Sequence, residues 1–223
     1  RDTDRSRGLG DVYKRQHKDF KAVATDSHRM SQRKLTLDNT SNNFNVVIPS
    51  KSLREFAAVF TDDIETVEVF FSDSQMLFRS DYISFYTRLL EGNYPDTDRL
   101  LTNSFETEVT FNTGALRSAM ERAHLISNAT QNGTVKLEIT NNSVSAHVNS
   151  PEVGKVNEEL DIIDQSGSDL TISFNPTYLI EALKALKSET VVIRFISPVR
   201  PFTLMPGDDA ENFIQLITPV RTN

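Results

Sequence analysis

Three stretches of this chain repeat one order of residues at one spacing, and that period limits the fold more than any single residue does. Val47-Ile48-Pro49-Ser50-Lys51-Ser52-Leu53, Thr110-Phe111-Asn112-Thr113-Gly114-Ala115-Leu116 and Ser173-Phe174-Asn175-Pro176-Thr177-Tyr178-Leu179 each read as a strand end, a polar turn and a helix start. Leu53, Leu116 and Leu179 follow one another at intervals of 63 residues. Behind each helix comes a strand that opens on Thr-Val: Thr66-Val67, Thr134-Val135 and Thr190-Val191. A fixed period with a fixed element order marks a repeated supersecondary unit that buries its apolar face against a neighbour. Function is then expected in the assembly of units rather than in a catalytic pocket.

In the first repeat Ser50 is the expected helix cap, Leu53, Phe56, Ala57 and Phe60 form the apolar stripe, and Asp62-Asp63 ends the helix. Strands over 66–71, 75–80 and 83–90 follow, and Gly92 to Asp96 is the best linker. The second repeat places a strand over 106–111, a cap at Asn112 or Thr113, and a helix carrying Leu116, Ala119, Met120, Ala123 and either Leu125 or Ile126. Strands 134–139 and 143–148 are joined at Asn141-Asn142, which suits a tight hairpin, and strand 157–163 completes the unit. The third repeat has a strand over 169–174, then Asn175-Pro176 as cap and first helical residue. Its helix carries Leu179, Ile180, Leu183 and Leu186, and strands 190–196, 200–205 and 212–219 end the chain. A strand, a helix and three strands, used repeatedly, predict an α+β fold with helices on one face of antiparallel sheets. Two domains are expected, 17–100 and 101–223, the first lacking its beginning. Residues 1–16 have no Met start and no apolar period, resemble a translated sequencing adapter, and are set aside from the fold.

Composition removes several function classes. With no cysteine there is no disulfide framework and no thiolate metal site. No apolar run approaches the roughly 18 residues of a membrane span, so the expected compartment is the cytoplasm, with no membrane partner. A net charge of −7 argues against nucleic-acid binding through bulk charge. Yet Lys51, Arg54, Arg117, Arg122, Lys184 and Lys187 all fall in the three predicted helices, while strands and loops carry most of the acid. Two readings stay open: three ordinary solvated faces, or one helical surface that tolerates nucleic acid. Asp26-Ser27-His28 has the residue types of a hydrolase triad, but neighbours in extended chain point to opposite faces and no nucleophile elbow surrounds the serine. The four histidines show no ligand spacing and no phosphate loop exists, so neither metal, cofactor nor enzyme activity is expected.

Three ordered segments carry a resemblance: Ala24-Thr25-Asp26-Ser27-His28-Arg29-Met30, Leu89-Leu90-Glu91-Gly92-Asn93-Tyr94-Pro95-Asp96 and Gln215-Leu216-Ile217-Thr218-Pro219-Val220-Arg221. Together with the repeat they resemble the bacterial sliding clamp, the beta subunit of DNA polymerase III, with an ending most similar to clamps of streptococci and their relatives. The resemblance runs from residue 17 to 223, over the last part of that family's second domain and all of its third. It implies a DNA-clamp fold, with helices on the inner face and antiparallel sheets outside. It also implies a non-catalytic processivity factor, a head-to-tail homodimeric ring that encircles duplex DNA without reading its sequence.

By this resemblance Lys51, Arg54, Arg117, Arg122, Lys184 and Lys187 face DNA. A groove between domains two and three receives short Gln- and Leu/Phe-containing peptides of the DNA polymerase III catalytic subunit, the clamp loader and other clamp-binding proteins. The matching positions are Thr25, Ser27, His28, Arg29, Met30, Pro95, Leu100, Asn175, Tyr178, Val199, Pro201, Leu216, Ile217, Thr218, Pro219, Val220 and Arg221. Among them Met30, Leu100, Val199 and Leu216 are expected to form an apolar pocket. Ser27 stands where many members have Gly, and Thr218 where some have Met. Leu125 and Ile126 match the ring interface; both are expected to be exposed here, next to an unpaired edge on strand 106–111. The alternative is a repeat-built protein-interaction scaffold that does not bind DNA.

Overall fold

The computed structural model describes residues 11–16, 19–36, 44–61, 63–92, 94, 96–102, 104–127, 133–150 and 154–221, with only the backbone for 11–16 and 150. The chain divides into two compact units, one of Arg1–Ser27 with Gln32–Asp98 and one of His28–Ser31 with Arg99–Asn223.

The first unit begins with β1 (Asp11–Gln16), β2 (Asp19–Thr25), β3 (Arg29–Thr36), which belongs to this unit from Gln32 onward, and β4 (Phe44–Ile48), in the order β3-β2-β1-β4. Strand β1 lies antiparallel to β2 and β4, from Asp11 opposite Ile48 to Gln16 opposite Asp19. Setting residues 1–16 aside did not anticipate this strand. Helix α1 (Ser50–Val59) follows, then β5 (Glu68–Phe71), β6 (Gln75–Arg79) and β7 (Ser84–Arg88) as a second sheet, and a short 3-10 helix at Thr97–Leu100.

Ser50 is not the cap of α1. Pro49 occupies that position with φ −59°, no side chain closes the first turn, and Ser50 is already helical. Proline fixes that φ in advance, so the helix starts from backbone geometry rather than from a side-chain acceptor. The helix also stops at Val59, before the acidic pair, with the Phe60 N–H donating to the Phe56 carbonyl at 2.8 Å. Leu53, Phe56 and Phe60 are half-buried against Val46, Ile48, Met76 and Phe78, while Ala57 is exposed.

The second unit holds two repeats. The first is β8 (Thr107–Asn112), α2 (Thr113–Ser127), β9 (Val135–Thr140), β10 (Ser143–Ser150) and β11 (Gly154–Leu160). After β12 (Ile162–Gly167), the second is β13 (Leu170–Phe174), α3 (Pro176–Ala185), β14 (Thr190–Phe195), β15 (Phe202–Pro206) and β16 (Phe213–Ile217). The opening strand of each repeat joins the sheet of the other. Strand β8 pairs with β14, and β13 pairs with β9. The sheets therefore read β12-β8-β14-β15-β16 and β11-β10-β9-β13. The exchange keeps the sequence period: Phe111 stands opposite Val191, and Phe174 opposite Val135, each pair drawn from the same two repeat positions. All four side chains are buried. Both sheets consequently share one core, and truncating a phenylalanine buried in this way typically costs about 3–5 kcal/mol.

Two sequence expectations need correction. The strand expected over 157–163 is two strands, β11 and β12, which separate at Asp161 and enter different sheets. Because β12 runs antiparallel to β8 on the side away from β14, the strand at 106–111 has no unpaired edge. The repeat that lacks an opener strand beside it, among the described residues, is the one in the first unit. There β5 ends its sheet, with Val69, Phe70 and Phe71 exposed at 40%, 45% and 40%.

Helices α2 and α3 pack on each other over the shared core through Leu116, Ala119, Met120 and Ala123 and through Leu179, Ile180 and Leu183. Asn112 caps α2 by accepting from the Ala115 N–H at 2.9 Å, and Asn175 caps α3 by accepting from the Thr177 N–H at 2.9 Å, with Pro176 first in the helix. Gly167 has φ +98°, and an added Cβ would lie 1.9 Å from the Glu106 carbonyl oxygen, so only glycine lets β12 close onto β8 there.

Candidate functional site

One end of α3 and the chain's last described residues come together in the second unit. Strand β16 is fixed under α3 by the buried Gln215, whose amide donates to the Ala182 carbonyl at 2.8 Å. Leu216 and Ile217 are buried at the end of the strand. The tail then turns outward. Thr218 donates from its backbone N–H (2.9 Å) and its hydroxyl (2.8 Å) to the His28 carbonyl, and the Val220 N–H donates to the Ser173 carbonyl at 2.7 Å. Pro219 between them has no N–H to lose, so both available amides of this stretch are satisfied.

The Asn175 cap sets Tyr178 on the first turn of α3, and two side chains meet at its ring. The His28 imidazole stacks on it at 5.8 Å between centroids and 15° between planes. The Arg29 guanidinium lies 4.8 Å from the same centroid and forms an ion pair with Glu181. Glu181 is three residues beyond Tyr178, so the helix presents both on one face. The result is a flat aromatic surface with a charged margin beside the laced tail. An extended peptide can meet there an aromatic ring and an apolar Val220 side chain.

The sequence-predicted residues do not all play one part. His28, Arg29, Asn175, Tyr178, Thr218 and Val220 are joined by the contacts above. Met30, Leu216 and Ile217 are buried, with at most 5% exposure. Leu100 and Val199 are exposed apolar side chains of the same unit, at 52% and 59%, and Pro201 is half-buried. Arg221 is exposed and Pro219 half-buried. Thr25 and Ser27 fall in the first unit, where the Thr25 hydroxyl donates to the Asp26 carbonyl, and Pro95 lies outside the described residues.

The basic helix residues divide between the two units. In the second unit Arg117 and Lys184 converge from α2 and α3 on one carboxylate, Glu121, at 4.0 Å and 3.4 Å. Arg122 turns toward β11 and binds Glu158 through two hydrogen bonds, and that acceptor raises its pKa above the usual guanidinium value. Lys187 is exposed beyond the end of α3. In the first unit Lys51 and Arg54 are exposed on α1, Lys51 with Glu55 at 3.8 Å. The ring-interface pair divides: Leu125 is 76% exposed, but Ile126 packs against the core because it is on the side of α2 that faces the sheet.

Glu121 and Glu181 carried no signal in the sequence, and Gln215 stood in a motif without a role of its own, yet each acts across to another element. Sequence reading also passed over a polar chain on β9, β10 and β11. The Ser145 hydroxyl is 2.8 Å from His147 Nε2, His147 Nδ1 is 2.7 Å from Asn157 Oδ1, and Glu138 is 3.4 Å from the ring. Alternation along β10 and the direct pairing of His147 with Asn157 could have suggested it, but only once the register was known. Among the described residues no group of three or more His, Cys, Asp or Glu side chains could hold a metal ion, and no helix is long and apolar enough to cross a membrane.

Residues 98–221 match the family model for the C-terminal domain of the DNA polymerase III beta subunit, and residues 9–96 match that for its central domain. The chain belongs to the DNA polymerase III beta subunit family. A beta sliding clamp of Streptococcus pneumoniae is 71% identical over 208 residues, which are 93% of this chain and 55% of that protein. The crystal structure of the beta subunit from Streptococcus pyogenes superposes with a TM-score of 0.94 at 78% identity, covering 99% of this chain and 60% of that one. The sliding clamp of Bacillus subtilis gives 0.93 at 38% identity, covering 99% and 59%. The fold is thus the α+β sliding-clamp fold, and the chain spans about half the length of the curated relatives it matches.

Proposed function

We propose that this chain supplies the central and C-terminal parts, about 17–100 and 101–223, of a DNA polymerase processivity clamp. It catalyses nothing. It holds polymerase, clamp loader and other replication or repair proteins by a peptide at the α3–tail surface, while basic helix side chains ride over duplex DNA without reading its sequence. Leu125 contributes to the head-to-tail ring contact, and the protein works in the cytoplasm. The observation that carries the reading is the junction of Tyr178, His28 and Arg29 with the tail that Thr218 and Val220 bind down. Rings and flat stacking surfaces are where peptide-binding energy concentrates, so a few residues there dominate affinity.

Deletion of Pro219 to Arg221 tests it. A fluorescent peptide bearing a Gln and a Leu-Phe pair should bind the full chain and lose well over tenfold in affinity to the deletion. Equal affinity for both proteins would remove the assignment. One observation favours the scaffold reading, in which DNA plays no part: Arg117, Arg122 and Lys184 already have carboxylate partners. The salt dependence of DNA binding separates the two.

A further inference from the structure

We infer that Glu181 sets the charge selectivity of the peptide site, disfavouring acidic residues in any peptide that crosses Arg29. The inference rests on the peptide-site reading and adds to it a residue that does not itself belong to the resemblance. Arg29 is the cation nearest the Tyr178 ring, and left alone it would attract a peptide carboxylate with a bidentate fork. In this structure one guanidinium nitrogen of Arg29, Nη1, donates to the Glu181 carboxylate, and cation–π attraction and that ion pair together fix the group over the ring.

The exposures decide what this arrangement does. The Arg29 side chain is 35% exposed and that of Glu181 is 53%, so the carboxylate is the more accessible half of the pair. A peptide at this surface therefore meets an accessible negative charge beside the guanidinium. A neutral peptide gains a fixed, planar cation–aromatic surface and loses nothing. An acidic residue must either displace Glu181, leaving it without its partner, or sit beside it and be repelled. At partly exposed sites such like-charge proximity amounts to at most about fivefold in affinity. Glu181 is thus a positioning residue for Arg29 and a filter on the ligand.

The test compares several peptides in each protein as affinity ratios, so that a general loss of affinity cancels. One is the neutral Gln- and Leu-Phe-containing peptide; the others replace each position flanking those anchors with Glu, one at a time. The full chain should prefer the neutral peptide over at least one Glu version by about twofold to fivefold at low salt, and the preference should shrink as salt is added. Glu181→Gln keeps the shape and an acceptor for Arg29, and should bring that ratio toward one; Glu181→Lys should reverse it. A ratio unchanged by either substitution, or a preference in the original chain that salt leaves intact, overturns the inference. If the neutral peptide does not bind the full chain at all, the peptide-site reading itself has failed, which is a different result.

Discussion

Replacing Glu121 with glutamine examines whether the basic helix surface of the second unit reaches DNA. Glu121 sits 3.4 Å from Lys184 Nζ and 4.0 Å from Arg117 Nε, so one substitution releases two cations from one internal partner. Each phosphate newly neutralised steepens the fall of log affinity with log salt by about 0.9, so the variant should be steeper by about 1 to 2. Between about 50 and 200 mM salt that difference corresponds to roughly a fourfold to sixteenfold greater loss of binding. Fluorescence anisotropy of a short labelled duplex, titrated with the full chain across that range, measures it directly. Glu138→Gln, on the β9 strand beside His147, is the control and should leave the slope alone. Equal slopes for Glu121→Gln and the original chain would mean that Arg117 and Lys184 do not meet phosphates, and the scaffold reading would gain.

Gly167→Ala places a methyl group 1.9 Å from the Glu106 carbonyl in a left-handed conformation, and should lower stability by about 2 kcal/mol or more in chemical denaturation of the chain; a loss below half a unit would mean that β12 does not hug β8 as described. The exposed edge of β5 should make the chain self-associate, and Phe70→Lys should reduce that in sedimentation experiments, since a charge on an open edge opposes strand pairing. Unaltered association would locate the sticky surface elsewhere.

The three helices and most strands were legible in the sequence because they depend on local chemistry repeated three times, whereas β1 and the cap of α1 were not. Asn175-Pro176 is the clearest case, since cap and first turn need only adjacent residues. The exchange of β8 and β13 between sheets was not legible. Nothing local distinguishes Phe111 opposite Val191 from Phe111 opposite a strand of its own repeat, and only the shared core decides. The division at Asp161 was hidden for the same reason, because both halves have strand character and differ only in destination. At the site, resemblance identified His28, Arg29 and Tyr178, and the structure added what holds them. Glu181 and Glu121 carried no signal, for a helix carboxylate that pairs across to another element looks in sequence like any solvated charge. The inward turn of Ile126 beside an outward Leu125 likewise depends on the helix phase, which the stripe left ambiguous between them.

The account's central claim is that a peptide binds where α3 begins and the chain's tail is tied down. Amide chemical-shift mapping of the full chain during titration with the Gln- and Leu-Phe-containing peptide addresses that claim most directly. The largest shifts should fall on His28, Arg29, Tyr178, Thr218 and Val220, with the β9–β11 face around His147 unmoved. Shifts concentrated on that sheet face, with the tail amides silent, would contradict it.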